Sequence, residues 1–552
     1  MGAYREGYGS APVEEGREDG LVDELIQQFA DPLAFYRELV QNSIDAGATS
    51  IAISVTFEPD PEAAADADPI GALDVAVRDD GCGMSREILE EQLTVLFRSG
   101  KEGQTDKIGK FGVGFVSVLA VVPEVVTVRT SEGRGVQWTL ALQADQTYEL
   151  FRAEAGGGSG TTVTLRLRRR RSEVDELVKG SGRALAKWCR HAEIPIRFVA
   201  SVVGGEVIHE SRVDRPLGLD ALVSVRATDG PTTVVAGLPH DGEPYLGFFN
   251  RGLLLHETRK DLLGRVMVSI QDPKLEHTLS RDNVRRDEHY ERAMRFARRV
   301  VERHLTQHVH DVLDQIARRE RTEPPIEALL ASAWNAGFDL DRDAIQIPLA
   351  EAVGGRATIP LSALRQKNVF ATSARDELTA AAARAGARLV DLSIAQNPPA
   401  YLRTLGVFAG AGLREARAAF TLAAPVDASG SDLALMDRVR DLLGAVGRRP
   451  SGPRLARFSG ASSTRLYLAG PNELPAALDD DDVQVDPFRL IARPPMLLNA
   501  DYDAVSAARR LAATDLETAG ALLARVILLW RGDLAEEDAD EAWLEAAAER
   551  AR

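Results

Sequence analysis

The chain has 552 residues, is 45% hydrophobic and carries a formal net charge of −17, which predicts about three or four domains with buried cores and argues against nucleic acid as the main ligand. No apolar run approaches the roughly 20 residues of a membrane span. Cys82 and Cys189 are the only cysteines, a pattern that fits a reducing cytoplasm and excludes a disulfide framework. The polar start M-G-A-Y-R-E-G-Y-G-S does not read as a signal peptide, and Glu6 stands where a myristoylation motif needs serine or threonine.

Residues 1–20 are small, charged and aperiodic, the composition of a disordered segment. Residues 21–170 alternate helical and strand patterns and form a first domain. D-P-L-A-F-Y-R-E-L-V-Q-N-S-I-D-A-G-A-T predicts a helix over 31–46, with Asp31 as N-cap, Pro32 in the first turn and Gly47 at the end. At about 100° per residue Glu38, Asn42 and Asp45 form a narrow polar stripe. Leu33, Tyr36, Leu39, Val40 and Ile44 surround it. The stripe is expected to point inward, toward a partner that wants a carboxylate and an amide, because unpaired burial is costly. Strands follow at I-A-I-S-V-T-F and L-D-V-A-V-R, separated by an acidic loop.

Three glycine motifs come next. D-D-G-C-G-M follows the second strand: Asp79 is an acceptor at the strand end, and Gly81 and Gly83 let the backbone turn close to a planar ligand. G-K-F-G-V-G-F-V-S-V-L sets Gly109, Gly112 and Gly114 before an apolar helix, a pattern suited to phosphate. G-G-G-S-G-T-T-V-T-L presents Gly160 and Thr161 at the start of a strand, and the basic run Arg168–Arg171 ends the domain. Each motif alone is weak; their order and spacing behind a Glu/Asn helix is specific.

The series E-x-x-x-N, D-x-G-x-G, G-x-x-G-x-G and G-T resembles the GHKL ATPases: gyrase B, histidine kinases, MutL and the ninety-kilodalton heat-shock chaperones. The resemblance implies a two-layer α/β sandwich, the Bergerat fold, with ATP and Mg²⁺ between helices and sheet. It makes Glu38 the general base or water-orienting group and Asn42 the Mg²⁺ ligand. It implies that Asp79 accepts from the adenine amino group, with Gly83 and Met84 near the ring, Thr161 completing the contact through water, and Asp45 near the base or ribose. Gly112, Val113 and Gly114 then cap the phosphates, and Ser99, from F-R-S-G-K, and Phe115 join the nucleotide-binding residues.

Q-N-S-I-D-A-G-A-T is similar to MutL, whereas G-K-F-G-V-G-F-V-S-V-L resembles the bacterial HtpG-type chaperones. Residues 101–108 form a shorter lid segment than those chaperones carry. Residues 171–400 are again mixed α/β, with strands at T-T-V-V-A-G-L and R-V-M-V-S-I. Y-L-G-F-F-N-R-G-L-L-L through L-S-R-D-N-V resembles the chaperone middle domain, and the match implies that Arg281 reaches the γ-phosphate. Arginines so placed are worth roughly 10³–10⁵ in rate in other phosphoryl-transfer enzymes.

Residues 401–552 turn Ala-, Leu- and Arg-rich and strongly helical, resembling a mainly helical α/β dimerisation domain. Leu516, Leu522, Leu523, Val526, Ile527, Leu528, Leu529 and Trp530 make one helix apolar on several sides, so it must bury itself within its domain or against a partner. The row Leu522, Val526, Leu529 and Trp530 is expected to hold a parallel homodimer through helices within 500–548. The function so implied is a cytoplasmic, ATP-driven dimeric clamp acting on client proteins, with no membrane partner. A MutL- or MORC-like ATPase acting on DNA, and a GHKL-derived regulatory or defence ATPase, remain as alternatives.

Overall fold

The structure, a computed structural model, describes residues 31–63, 67–93, 114–144, 147–154, 156–205, 207–278, 283–350, 357–410, 412–448, 450–469, 477–479 and 495–533. The chain is mixed α/β and falls into two compact units, Met1–Leu305 and Thr306–Arg552.

Asp31 accepts a hydrogen bond from the Leu33 amide at 2.9 Å and opens a 3₁₀ turn at Pro32–Ala34, which runs into α1 (Phe35–Asp45). The chain then forms β1 (Ile51–Pro59) and β2 (Ile70–Asp79). Ile51, Ile53, Val55 and Phe57 alternate inward along β1, the period-2 pattern of a sheet with one covered face. Burying each such side chain is worth about 1.5–3 kcal/mol. β3 (Val125–Glu132), β4 (Val136–Gln143) and β5 (Tyr148–Glu154) add an antiparallel meander, and β6 (Ser159–Arg170) returns to lie between β3 and β2.

Beyond residue 170 the sheet continues. α2 (Arg171–Trp188) packs beside α1 and carries the chain back, so that β7 (Ile196–Val202) lies parallel to β1 and β8 (Val207–Arg212) closes the edge. The result is one eight-stranded sheet in the order β5-β4-β3-β6-β2-β1-β7-β8. Phe35, Tyr36 and Val40 of α1 and Val174, Val178 and Leu185 of α2 share its core, a helix layer on a sheet layer.

The same unit holds a second sheet, ordered β12-β11-β13-β10-β9. Its strands are β9 (Val223–Asp229), β10 (Thr232–Leu238), β11 (Tyr245–Asn250), β12 (Leu253–Thr258) and β13 (Met267–Gln271). α3 (Glu288–Arg299) follows, capped by Asp287, which accepts from the amides of His289 and Tyr290 at 3.0 Å each.

In the second unit come α4 (Thr306–Ala317), α5 (Ile326–Asn335), the hairpin β14 (Gln346–Pro348) and β15 (Thr358–Pro360), and the parallel pair β16 (Val369–Thr372) and β17 (Arg388–Asp391) around α6 (Glu377–Arg384). After α7 (Pro398–Ala409) a five-stranded sheet assembles from β18 (Phe420–Pro425), β19 (Ser451–Gly460), β20 (Tyr467–Ala469), β21 (Ala477–Asp479) and β22 (Pro495–Asn499). α8 (Gly430–Ala445), α9 (Asp503–Ala512) and α10 (Leu516–Arg531) share one core, in which Leu435, Val439, Leu443, Val505, Leu523 and Ile527 are buried. The apolar helix expected here is therefore divided. Leu523, Ile527 and Leu528 face its own core, while Leu522 and Trp530 are 50% and 45% exposed.

Candidate functional site

Asp79 is the last residue of β2 and the point where three segments meet. Its Oδ1 accepts from the Gly81 amide at 2.9 Å and the Thr161 amide at 3.1 Å, and the Ser43 hydroxyl of α1 lies 3.1 Å from its Oδ2. Two lone pairs per carboxylate oxygen leave acceptor capacity on Oδ2 for one more donor. Ser43 also reaches the Leu39 carbonyl at 3.0 Å, so its single proton is shared between the two.

The neighbouring carboxylate does something else. Asp80 accepts from the Thr49 and Ser50 hydroxyls and amides at 2.6–3.0 Å. These bonds, the Thr49 hydroxyl first, hold its pKa well below the usual carboxylate range. Asp80 is a brace for the turn after α1, and Asp79 is the acceptor in the site.

Thr161 continues the network. Its hydroxyl lies 2.9 Å from that of Thr130, its partner across β3 and β6, and the Thr130 hydroxyl accepts from the Met84 amide at 2.8 Å. Gly83 sits against the same strand. Its φ is +72°, and a Cβ there would fall 2.0 Å from the Ser131 carbonyl oxygen, so neither the conformation nor the space admits another residue. The structure thus brings Asp79, Gly83, Met84 and Thr161 to one place, beside the middle of α1.

Along α1 the polar stripe is graded. Glu38 is buried, Asn42 is half-buried and Asp45 is exposed. Glu38 Oε1 is held by its neighbour Arg37, through Nη2 at 2.7 Å and Nε at 3.1 Å, and Arg37 is only 6% exposed. The Arg37 guanidinium stacks over the Trp188 ring at 5.0 Å. Burial pushes the nearby Cys189 thiol up to about 12, with smaller opposing effects of Arg37 and Glu38, so that thiol stays neutral and unreactive. The Asn42 amide makes no hydrogen bond among the described residues. Asp45 Oδ2 accepts from Gln41 at 3.1 Å, and Arg251 reaches its Oδ1 at 3.3 Å.

Gly114 and Phe115 are buried at the start of the segment leading to a 3₁₀ helix at Ser117–Val121, and Ser117 donates to the Gly114 carbonyl at 2.6 Å. Ser99, Gly112, Val113, the lid segment 101–108 and Arg281 lie outside the described residues. Sequence reasoning missed Arg37, Ser43, Thr130 and Trp188. Arg37 and Ser43 stand beside stripe residues in sequence, which was the available signal. Thr130 and Trp188 come from distant segments and left none.

The donor set suits a purine base and a magnesium nucleotide better than a bare metal site. Among the described residues no group of three or more His, Cys, Asp or Glu side chains could hold a metal ion. Mg²⁺ characteristically takes one or two protein oxygens and completes its shell with phosphate and water, a role open to the Asn42 amide oxygen.

Comparison with known proteins agrees. Residues 36–152 match the family described as histidine kinase-, DNA gyrase B-, and HSP90-like ATPase. The chaperone protein HtpG of Mesorhizobium japonicum is 30% identical over 138 residues, 22% of either chain. HtpG of Methylobacterium sp. strain 4-46 is 30% identical over 210 residues, 33% of either chain. HtpG of Methylorubrum extorquens is 29% identical over 207 residues, 33% of this chain and 32% of that one. These alignments span between about a fifth and a third of the relatives' length. The strand-end aspartate and the Glu/Asn helix lie inside the matched region and their threonine partner, Thr161, just beyond it, so residues 36–152 form a GHKL-type ATPase domain similar to that of the HtpG chaperones.

Proposed function

We propose that this protein is an ATP-dependent chaperone of the HtpG type, a homodimeric clamp whose nucleotide cycle acts on client proteins. The observation that carries the reading is the network from Met84 through Thr130 and Thr161 to Asp79, tied by Ser43 to the helix that bears Glu38 and Asn42. In it Asp79 accepts from the exocyclic amino group of adenine, and Met84 and Gly83 lie along the base. Thr161 completes the contact at the base edge. Asn42 and the phosphates together would hold Mg²⁺, whose charge would offset that of the triphosphate.

Glu38 orients and deprotonates the attacking water. Its bond to Arg37 pairs the buried carboxylate, since burying such a charge without a partner is costly. Both Arg37 bonds go to Oε1, so orienting the water falls to Oε2. Arg281 supplies positive charge to the γ-phosphate, where a guanidinium meets phosphate oxygens bidentately. The half-exposed Leu522 and Trp530 of α10, with the partly buried Val526 and Leu529 between them, support an isologous dimer contact, in which each copy covers the row of its twin.

The reading is tested by two measurements on the full chain: magnesium-dependent ATP hydrolysis, and suppression of aggregation of an unfolded client protein. Both are expected, the second depending on ATP. Salt-sensitive DNA binding with ATP turnover but without client protection would replace it with the DNA-acting alternative.

A further inference from the structure

The second sheet meets the C-terminal end of the candidate site's helix through the turn between β11 and β12. Between β11 and β12 the chain turns through Arg251, a non-glycine residue at φ +46°, and Gly252 at φ +81°. Packing fixes this turn. A Cβ at 252 would fall 1.7 Å from the His191 carbonyl oxygen, just beyond α2, and the next side chain, Leu253, is 1% exposed within the core of the large sheet. Phe249, on the other side of the turn, meets the His191 ring edge-on at 5.2 Å. From this anchored turn the Arg251 side chain reaches Asp45 at 3.3 Å, on the last turn of α1.

That end of α1 is also where the D-x-G-x-G loop is fastened. The Cys82 amide donates to the Ala46 carbonyl at 2.9 Å, and a Cβ at Gly81 would lie 2.8 Å from that of Ala46. A carboxylate at a helix C-terminus is unfavourable against the helix dipole, and a guanidinium there is favourable. Arg251 corrects the first and supplies the second. An exposed pair of this kind contributes little to stability, so a residue held in a left-handed conformation to make it points to another role.

We infer that Arg251 is a positioning residue for the ATPase reaction: from the second sheet it fixes the C-terminal end of α1, and with it the alignment of Glu38 and Asn42 to the loop of Asp79. The inference rests on the ATPase reading above. It differs from the role of Arg281, because Arg251 meets protein and not phosphate.

The test uses the full-length protein with Arg251→Gln, Arg251→Lys, Asp45→Asn and the double variant Arg251→Gln/Asp45→Asn. ATP affinity is measured by calorimetry, turnover at saturating ATP, and melting temperature as a control. Arg251→Gln is expected to lower kcat about three- to fivefold, the scale of one exposed charge pair, with the ATP dissociation constant and melting point nearly unchanged. Arg251→Lys restores most of the rate, and the double variant turns over no more slowly than Arg251→Gln. Wild-type kcat in Arg251→Gln, or multiplying losses in the double variant, overturns the inference and leaves the ATPase reading intact. Wild-type protein that neither binds nor hydrolyses ATP overturns both.

Discussion

Helix α1 buries Arg37 at 6% and Glu38 at 8% exposure, whereas α10 leaves Leu522 at 50% and Trp530 at 45%. Each helix breaks the ordinary sorting of side chains, in opposite directions, and each keeps a normal apolar face beside the anomaly. In α1 that face is Tyr36, Leu39 and Val40; in α10 it is Leu523, Ile527 and Leu528. Folding is secured by the normal face. On the function proposed above, the anomalous one is left for binding: charge turned inward suits a small polar ligand in a sheltered site, and apolar surface turned outward suits another protein surface.

The sharpest way to break this contrast is to neutralise the buried charge. Glu38→Ala is expected to cut ATP turnover by about 10²–10⁴-fold while leaving nucleotide affinity near that of the wild type, since positioning water is a transition-state task. Equal turnover in mutant and wild type would remove Glu38 from the mechanism. Asp79→Asn comes next. The amide can keep its oxygen on the Gly81 and Thr161 amides by turning its N–H₂ toward Ser43, whose hydroxyl accepts while donating to Leu39, so the fold is kept. The adenine amino group then meets a donor where it needs an acceptor, which costs about 1–3 kcal/mol beyond the lost charge. Nucleotide affinity should fall by about 100-fold or more. Calorimetry showing unchanged affinity would dissolve the site.

On α10 the corresponding change introduces charge outside. Leu522→Glu combined with Trp530→Ser alters side chains that are about half exposed. Trp530 also packs edge-on against Tyr467 of the core at 5.0 Å, so an unchanged melting temperature is the control that the core of Leu435, Val439 and Leu523 stays closed. Deleting everything after 498 is a poorer experiment, because it strips α9 and α10 from that same core. The double substitution is expected to weaken self-association about tenfold or more, as removal of central interface anchors does. ATP turnover should then fall only on dilution, where paired ATPase domains lose their effective concentration. A variant that sediments as the wild type does, at every concentration, assigns the row to some other use.

Much of this was legible in the sequence, for local reasons. Helix α1 was readable from Asp31, Pro32 and the apolar spacing of its core face, and β1 and β2 from period-2 alternation. The two aspartates of D-D-G-C-G-M are told apart by what folds over them: Asp80 meets Thr49 and Ser50, and Asp79 meets Ser43 and Thr161. Those partners lie tens of residues away, where no periodicity points. Composition changes near 170 and 400, while contacts divide the chain at Leu305. The parallel pairing of β7 with β1 and the burial of Leu253 in the first core are long-range events that composition does not record. The inward tilt expected of the whole polar stripe holds for Glu38 and fades by Asp45, which sits exposed on the last turn of α1 and meets the turn of Arg251 there.

A final comparison sets the Arg37–Glu38 pair against a buried pair of another kind. Asp432, 4% exposed near the start of α8, accepts from Arg509 of α9 through Nε at 2.8 Å and Nη2 at 3.1 Å, and also caps its own helix through Ser429. It ties two helices together. The Arg509 hydrogen bonds, chiefly, lower its pKa from 3.8 to about 2. A folded-state pKa below the unfolded value stabilises the protein above the unfolded pKa, and that contribution is lost as pH falls from about 4 to about 2. Asp432→Asn should therefore lower the melting temperature of the second unit's transition at neutral pH by about 2–6 °C, corresponding to about 1–2 kcal/mol. The gap from the wild type should close as pH falls toward 2, with ATP affinity unchanged throughout. A gap that stays constant from pH 7 to pH 2.5 would mean that packing, and not the carboxylate charge, holds α8 to α9.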